Sequence, residues 1–324
     1  MAEKAGRAFI GISGYEYKRW RNRFYPAGLP ARQWLGYASR CFNSIEINGT
    51  FYSLKWPSVF ERWRSEVPKR DFIFALKAGQ FITHNLKLRR SEHALGNFFA
   101  SGVLALGRMT GPVLWQLPAT YGFDAERMDQ FMKLLPRNTR QAEEVASWHD
   151  HRLKRGALTR AASPVRLRHA FEVRHPSYFH DEFYDLLRRH RCGFVIADTA
   201  GRFPYAEEVT ADFVYVRLHG SQQLYVSGYT DNELAEWAER IALWTSGRSA
   251  GKPLDVYVYF DNDAKVHAPH DALRLTEFAA ALGVNVPGKS QRLAATSSSP
   301  KRYRTPRSRS NATSRARGSP ITAK

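Results

Sequence analysis

Eight short apolar runs, spread over about 280 residues and each ending on polar or charged side chains, constrain this chain more than any other feature. They occupy residues 9–13, 44–48, 72–77, 113–118, 168–174, 193–198, 213–220 and 254–260. Successive side chains of a strand point to opposite faces, so in 44–48 Ile45 and Ile47 share one face while Glu46 and Asn48 share the other. The run at 168–174 places Glu172 and Arg174 on one face before Pro176 ends it. Helical patterns at 30–40, 59–66, 95–106, 181–191, 231–244 and 270–282 separate most of the runs. Two further amphipathic helices, parted at Pro136, fall within 124–155 and predict an insertion near 124–165. Alternation of this kind, repeated eight times, predicts an α/β protein with a (β/α)8 TIM-type barrel over residues 1–286. A doubly wound open sheet is the alternative, but the first run is followed only by Gly11 and Gly14, not by a G-x-G-x-x-G turn.

The charge of +19 is unevenly placed. Ten Lys/Arg and no acid lie in 287–324, and subtracting them leaves +9 on the remainder. The Arg/Ser/Pro-rich extension is too polar to bury a core, predicts disorder, and is suited to polyanions bound without sequence preference. Basic charge on both parts favours anionic partners, nucleic acid first. Two cysteines, Cys41 and Cys192, form no disulfide framework and fit a reducing cytoplasm. No apolar window approaches a membrane span, so a cytoplasmic protein without membrane attachment is expected.

In a barrel, the strand face opposite the large aliphatic residues points to the axis, and barrel enzymes keep their chemistry at the C-terminal strand ends. That parity sends Glu46, Lys77, Gln116, Glu172, Arg174, Arg217 and His219 into one mouth. Asp198 and Asp261 lie at strand ends, with their side of the strand unfixed by neighbours.

The order of motifs resembles the YecE family, domain of unknown function 72, across about residues 8–283. The matching residues are Gly11, Ser13, Gly14, Tyr17 and Trp20; Phe24-Tyr25-Pro26; Glu46-Ile47-Asn48 with Thr50, Phe51 and Tyr52; Lys77 with Ile82-Thr83-His84. Further on come Leu114, Gln116, Leu117 and Pro118; Phe171-Glu172 with Arg174-His175-Pro176-Ser177; Tyr215, Arg217, Leu218, His219 and Gly220; and Asn262-Asp263 with Ala268. The resemblance implies a TIM-type barrel and no established activity. Tyr15 stands where the pattern usually has Trp, and Asp261 where Asn is common.

Three chemistries are open to the mouth. Glu46, Glu172, Asp198, His219, Asp261, Asp263 and His267 could ligate a divalent metal, but no paired-histidine motif is present and Lys77, Arg174 and Arg217 would repel a cation. A site without metal is therefore expected, and no cofactor is indicated. An anion site fits better: Arg217, Lys77 and Arg174 clamp a phosphate or carboxylate, and Glu46, Glu172 and His219 are the candidate proton-transfer groups. His84, Gln116, His175, Asp198, Asn262 and Asp263 are candidate binding contacts, and rim aromatics including Tyr15 and Tyr52 could stack a ring. Against this stand an axial plug of salt bridges, histidines that merely satisfy hydrogen bonds, and aromatics that pack loops together. The expected function is binding of a phosphate-bearing, nucleotide or nucleic-acid-related ligand, extending to its hydrolysis. A non-catalytic nucleic-acid-binding module and a carbohydrate or sugar-phosphate enzyme remain open, and oligomeric state is not indicated.

Overall fold

The computed structural model describes residues 5–68, 71–153 and 156–288. Strands β1 Ala8–Ser13, β2 Ser44–Ile47, β3 Ile73–Lys77, β4 Thr110–Gln116, β5 His169–Glu172, β6 Gly193–Asp198, β7 Phe213–Leu218 and β8 Asp255–Phe260 close a parallel barrel in chain order. The register aligns Ser13 with Glu46 and Gln116 with Glu172, so the polar strand ends arrive at similar depth. Gly11 is required where β1 meets β2, because a Cβ there would lie 1.9 Å from the Ser44 carbonyl oxygen.

Helices α1 Trp34–Cys41, α2 Gly49–Tyr52, α3 Pro57–Glu66, α4 Glu92–Ala100, α5 Ala125–Leu134, α6 Thr139–Ser147, α7 Asp181–Arg189, α8 Asp231–Ser246 and α9 His267–Ala281 surround the strands. The expected helix at 95–106 is divided: Gly102 sits at φ 133°, ending α4 before a 3₁₀ segment. Two helices, α5 and α6, do follow β4, capped by the Asp124 and Asn138 side chains. Strict alternation fails after β6, where residues 199–212 reach β7 without a helix. Thr210 ties that connection down by donating to the Cys192 carbonyl and accepting from the Phe194 amide. The start of α8 is capped by Thr230 in a reciprocal pair with Glu233, one residue before the expected start.

The strand parity builds two apolar layers. Phe9, Ala75, Leu114, Ala170, Val195, Tyr215 and Tyr259 fill the barrel interior, while Ile45, Ile47, Phe171, Val216 and their neighbours pack beneath the helices. At the N-terminal end the interior is closed by Arg168, which donates to Asp255 at 3.0 Å and to the Tyr257 hydroxyl at 2.7 Å. The polar strand ends gather at the opposite, C-terminal mouth. Among the described residues no helix is long and apolar enough to cross a membrane. All but the first two residues of the expected basic tail lie outside the described residues.

Candidate functional site

Arg217 is the hub of the mouth. It projects inward from β7 and its side chain is fully buried. Its Nε donates to Glu46 Oε2 at 3.1 Å, and Nη1 to Glu172 Oε2 at 2.6 Å. Its Nη2 donates to Glu46 Oε1 at 2.8 Å, Asp261 Oδ2 at 2.9 Å and Ser13 Oγ at 3.1 Å. Tyr215, two residues earlier on the same face, adds its hydroxyl to Glu46 Oε2 at 2.6 Å, and Ser13 Oγ donates to Glu46 Oε1. Arg174 approaches from the rim and grips Glu172 Oε1 through Nε at 2.9 Å and Nη2 at 2.7 Å.

These contacts correct two expectations. Arg217 was expected to clamp a ligand, yet protein acceptors surround its guanidinium, so no face is left to solvent or substrate. Glu46 and Glu172 were expected to move protons, yet every one of their carboxylate oxygens accepts from an arginine. Burial alone would raise the Glu172 carboxyl, but Arg217 and then Arg174 hold it well below the usual carboxylate range. Asp261 is likewise raised by burial but brought down to about 2, chiefly by Arg217. Carboxylates so stabilised have little basicity at neutral pH. They form an anionic floor whose buried cation, among the described residues, is Arg217. Removing a partner from such a set is costly because the rest stay buried without compensation.

Lys77 stands apart. It ends β3 in the same mouth, half-buried, and its ammonium lies 4.4 Å from the centroid of the Phe51 ring. It makes no ion pair or hydrogen bond through Nζ with any described residue, although three carboxylates share the opening. Burial, then the positive charge of Arg217, lowers its pKa to about 8. His84 also rests against Phe51, with ring centroids 5.1 Å apart, and its Nδ1 pairs with Thr83 Oγ1 at 2.9 Å. Burial followed by the charges of Lys77 and Arg174 pushes His84 down, so it is neutral near pH 7. Gln116, on the next strand, is buried with its amide unbonded among the described residues.

His219 is buried and meets the edge of Tyr225, with ring centroids 5.3 Å apart. Its Nδ1 lies 3.2 Å from Asp261 Oδ2 but is not aligned for a hydrogen bond. Asn48 Oδ1 and Asp263 Oδ2 are also buried without a hydrogen bond. Of these atoms Asn48 Oδ1 has no partner among the described residues, whereas His219 Nδ1 faces Asp261 at 3.2 Å and Asp263 Oδ2 faces Arg19 at 3.3 Å.

Other expected contacts do structural work. Tyr15 is buried, its hydroxyl beside Trp63 of α3 instead of in the mouth. Asn262 donates through Nδ2 to the Ser227 carbonyl and to Asp271, anchoring the long β7 exit loop to α9. Asp198 accepts from the Tyr229 hydroxyl and the Ala200 amide, and His175 Nδ1 accepts from the Ser177 amide in a turn. Asp263 has Arg19 at 3.3 Å. Tyr52 remains on the rim, 76% exposed, while Trp20, Tyr178 and Tyr229 pack loops. Sequence parity put Asn48 on the face of Glu46 but named neither it nor Ser13 as a site residue. Their position at the end of β1 and just after β2 was the available signal, since the β1–β2 register sets Ser13 beside Glu46.

Among the described residues no group of three or more His, Cys, Asp and Glu side chains is arranged to hold a metal ion. Physically, the Arg217 guanidinium fills the point on which Glu46, Glu172 and Asp261 converge.

Clefts of about 690 and 340 Å³ lie at the opposite, N-terminal end of the barrel. They are lined by Arg166, Arg188, Arg189, Arg191 and Lys252 among others.

The comparisons agree with the fold. Residues 9–295 match the family model described as "Protein of unknown function DUF72". A DUF72 family protein from Thermotoga maritima superposes with a TM-score of 0.65 at 23% identity, covering 85% of this chain and 99% of that one. A second, from Enterococcus faecalis, gives 0.61 at 15% identity, covering 84% and 95%. The UPF0759 protein YecE of Escherichia coli K12 is 28% identical over 171 residues, 53% of this chain and 50% of that protein. The chain thus spans about half the length of the curated relatives it matches. A family match covering nearly the whole described barrel makes this chain a member of the DUF72 family, a family whose function is not known.

Proposed function

We propose that the mouth is a ligand-binding and catalytic site for a small phosphate-bearing molecule, with Lys77 as its anchor. The observation that carries this reading is the Lys77 ammonium: among the described residues it alone of the mouth's cations has no carboxylate partner, because Arg217 and Arg174 hold the acids. An unpaired, partly desolvated cation is retained at a cost, and an anion that replaces its lost hydration offsets that cost. Gln116 and the outer edge of Arg174 supply further donors, and neutral His84 is placed to exchange protons. The rigid carboxylate and arginine floor fixes the geometry without taking up protons itself.

The test is titration of the purified full chain with inorganic phosphate, pyrophosphate and adenosine monophosphate by calorimetry. Lys77→Met is expected to weaken binding at least tenfold, consistent with about 1.5–3 kcal/mol for a hydrogen bond to a charged group. Equal affinity in wild type and variant removes Lys77 from the site.

The basic clefts at the N-terminal end favour a second reading, a surface for nucleic acid away from the mouth. Arg191 and Lys252 line the larger cleft and make no ion pair with a described residue. Reversing both to Glu is expected to weaken binding of a single-stranded oligonucleotide and to flatten its dependence on salt. Binding that survives the reversal but is lost on deleting residues 287–324 would assign it to the tail instead.

A further inference from the structure

We infer that Lys77 is a carbonyl-reactive nucleophile, and that the ligand class of the mouth is phosphorylated aldehydes and ketones held as a Schiff base. The inference builds on the proposed phosphate site and adds a covalent step to it. A lysine reacts with a carbonyl only as the free amine, and barrel geometry offers three conditions for that here. Its amine is bound to no acid, so deprotonation does not break an ion pair. It lies against the face of Phe51, half-buried. Arg217, the cation at the centre of the floor, further disfavours a second positive charge, in line with the pKa of about 8.

The chemistry balances without an external oxidant or reductant. The neutral Lys77 nitrogen attacks the carbonyl carbon, forming a C–N bond as the carbonyl π bond opens, and transfer of one proton from the nitrogen to the oxygen gives a neutral carbinolamine. Loss of that hydroxyl as water, with one proton delivered to it and the nitrogen lone pair forming C=N, gives the protonated imine. His84, seated on the same Phe51 ring and neutral near pH 7, is the side chain placed to relay these protons. The protonated imine then serves as an electron sink for proton removal or carbon–carbon cleavage next to the former carbonyl.

The experiment is reductive trapping. The full chain is incubated with dihydroxyacetone phosphate, or separately with dihydroxyacetone, then treated with sodium borohydride and mapped by peptide mass spectrometry. One reduced ligand is expected on the peptide carrying Lys77, at least tenfold above any surface lysine, with the phosphate ester trapped faster than the neutral ketone. Lys77→Arg keeps the positive charge but has no nucleophilic amine at neutral pH, so it should not trap. Should that variant fail to fold, the pH profile of wild-type trapping decides, with a midpoint near 8 instead of 10.5. Phosphate binding that depends on Lys77, without any trapped adduct there, overturns the covalent step and leaves the anion site standing. Trapping of dihydroxyacetone at Lys77 with no phosphate binding supports the nucleophile and removes the phosphate reading.

Discussion

Arg217→Met is expected to lose about 3–5 kcal/mol of folding stability at pH 7, the range for breaking a buried charge set by removing one partner. The substitution keeps much of the side-chain volume, so the loss reports on charge more than on a cavity. Glu46, Glu172 and Asp261 would remain buried around a thioether. In the wild type, Glu172 and Asp261 have depressed pKa values, so their contribution is present above the unfolded carboxylate range, near 4, and is lost only as pH falls toward 2. Without Arg217, Asp261 has no arginine partner and burial raises it above its unfolded value, so it binds a proton more tightly in the native state, while Arg174 still holds Glu172. The variant should therefore gain stability as pH falls from 7 to 5, and the gap to wild type should narrow. Urea denaturation of both proteins at the two pH values measures it. Arg217→Lys should recover only part of the loss, since one ammonium cannot span three carboxylates as the planar guanidinium does. A gap that is small at pH 7, or that does not narrow on acidification, means that the floor is not held by Arg217.

The second large effect has the opposite sign. Lys77→Met should stabilise the fold at pH 7 by on the order of 1–3 kcal/mol while abolishing trapping and weakening phosphate binding. Its folded pKa, about 8, lies below the ordinary lysine value of 10.5. Below pH 8 both folded and unfolded chains hold the proton, and the native state bears the full cost of a poorly solvated ammonium. Between 8 and 10.5 the native state releases its proton first, so wild-type stability recovers with rising pH. The advantage of Lys77→Met should accordingly be complete below pH 8 and fade toward 10.5. Stability exchanged for reactivity in this way is typical of a functional group and not of a structural one.

The barrel was legible in the sequence because a strand imposes a period of two. Ile45 and Ile47 against Glu46, and Val214 and Val216 against Tyr215 and Arg217, already divided the faces that the structure divides. The same pattern brought Glu46, Lys77, Gln116, Glu172, Arg217 and His219 to one opening. Which of those charges pair with each other was not legible, because pairing depends on register and depth across strands far apart in the chain. Arg217 thus looked like a ligand clamp when its partners were three strand-end acids, and Lys77 looked equivalent to it. Loop residues were harder still. Tyr15 turns beneath α3 and Asn262 toward Asp271 on α9, and neither direction follows from local spacing. The missing helix between β6 and β7 left no sequence signal beyond the absence of an amphipathic run at 199–212.

The central claim is that the mouth holds an amine kept free of counter-ions. It is tested most directly by the titration of Lys77 itself, followed by two-dimensional NMR after reductive ¹³C-methylation of the lysines, with Lys77→Arg used to assign the resonance. A midpoint near 8, moving upward when phosphate is added, is the expected result. A midpoint indistinguishable from the other lysines near 10.5, unmoved by phosphate, would contradict it.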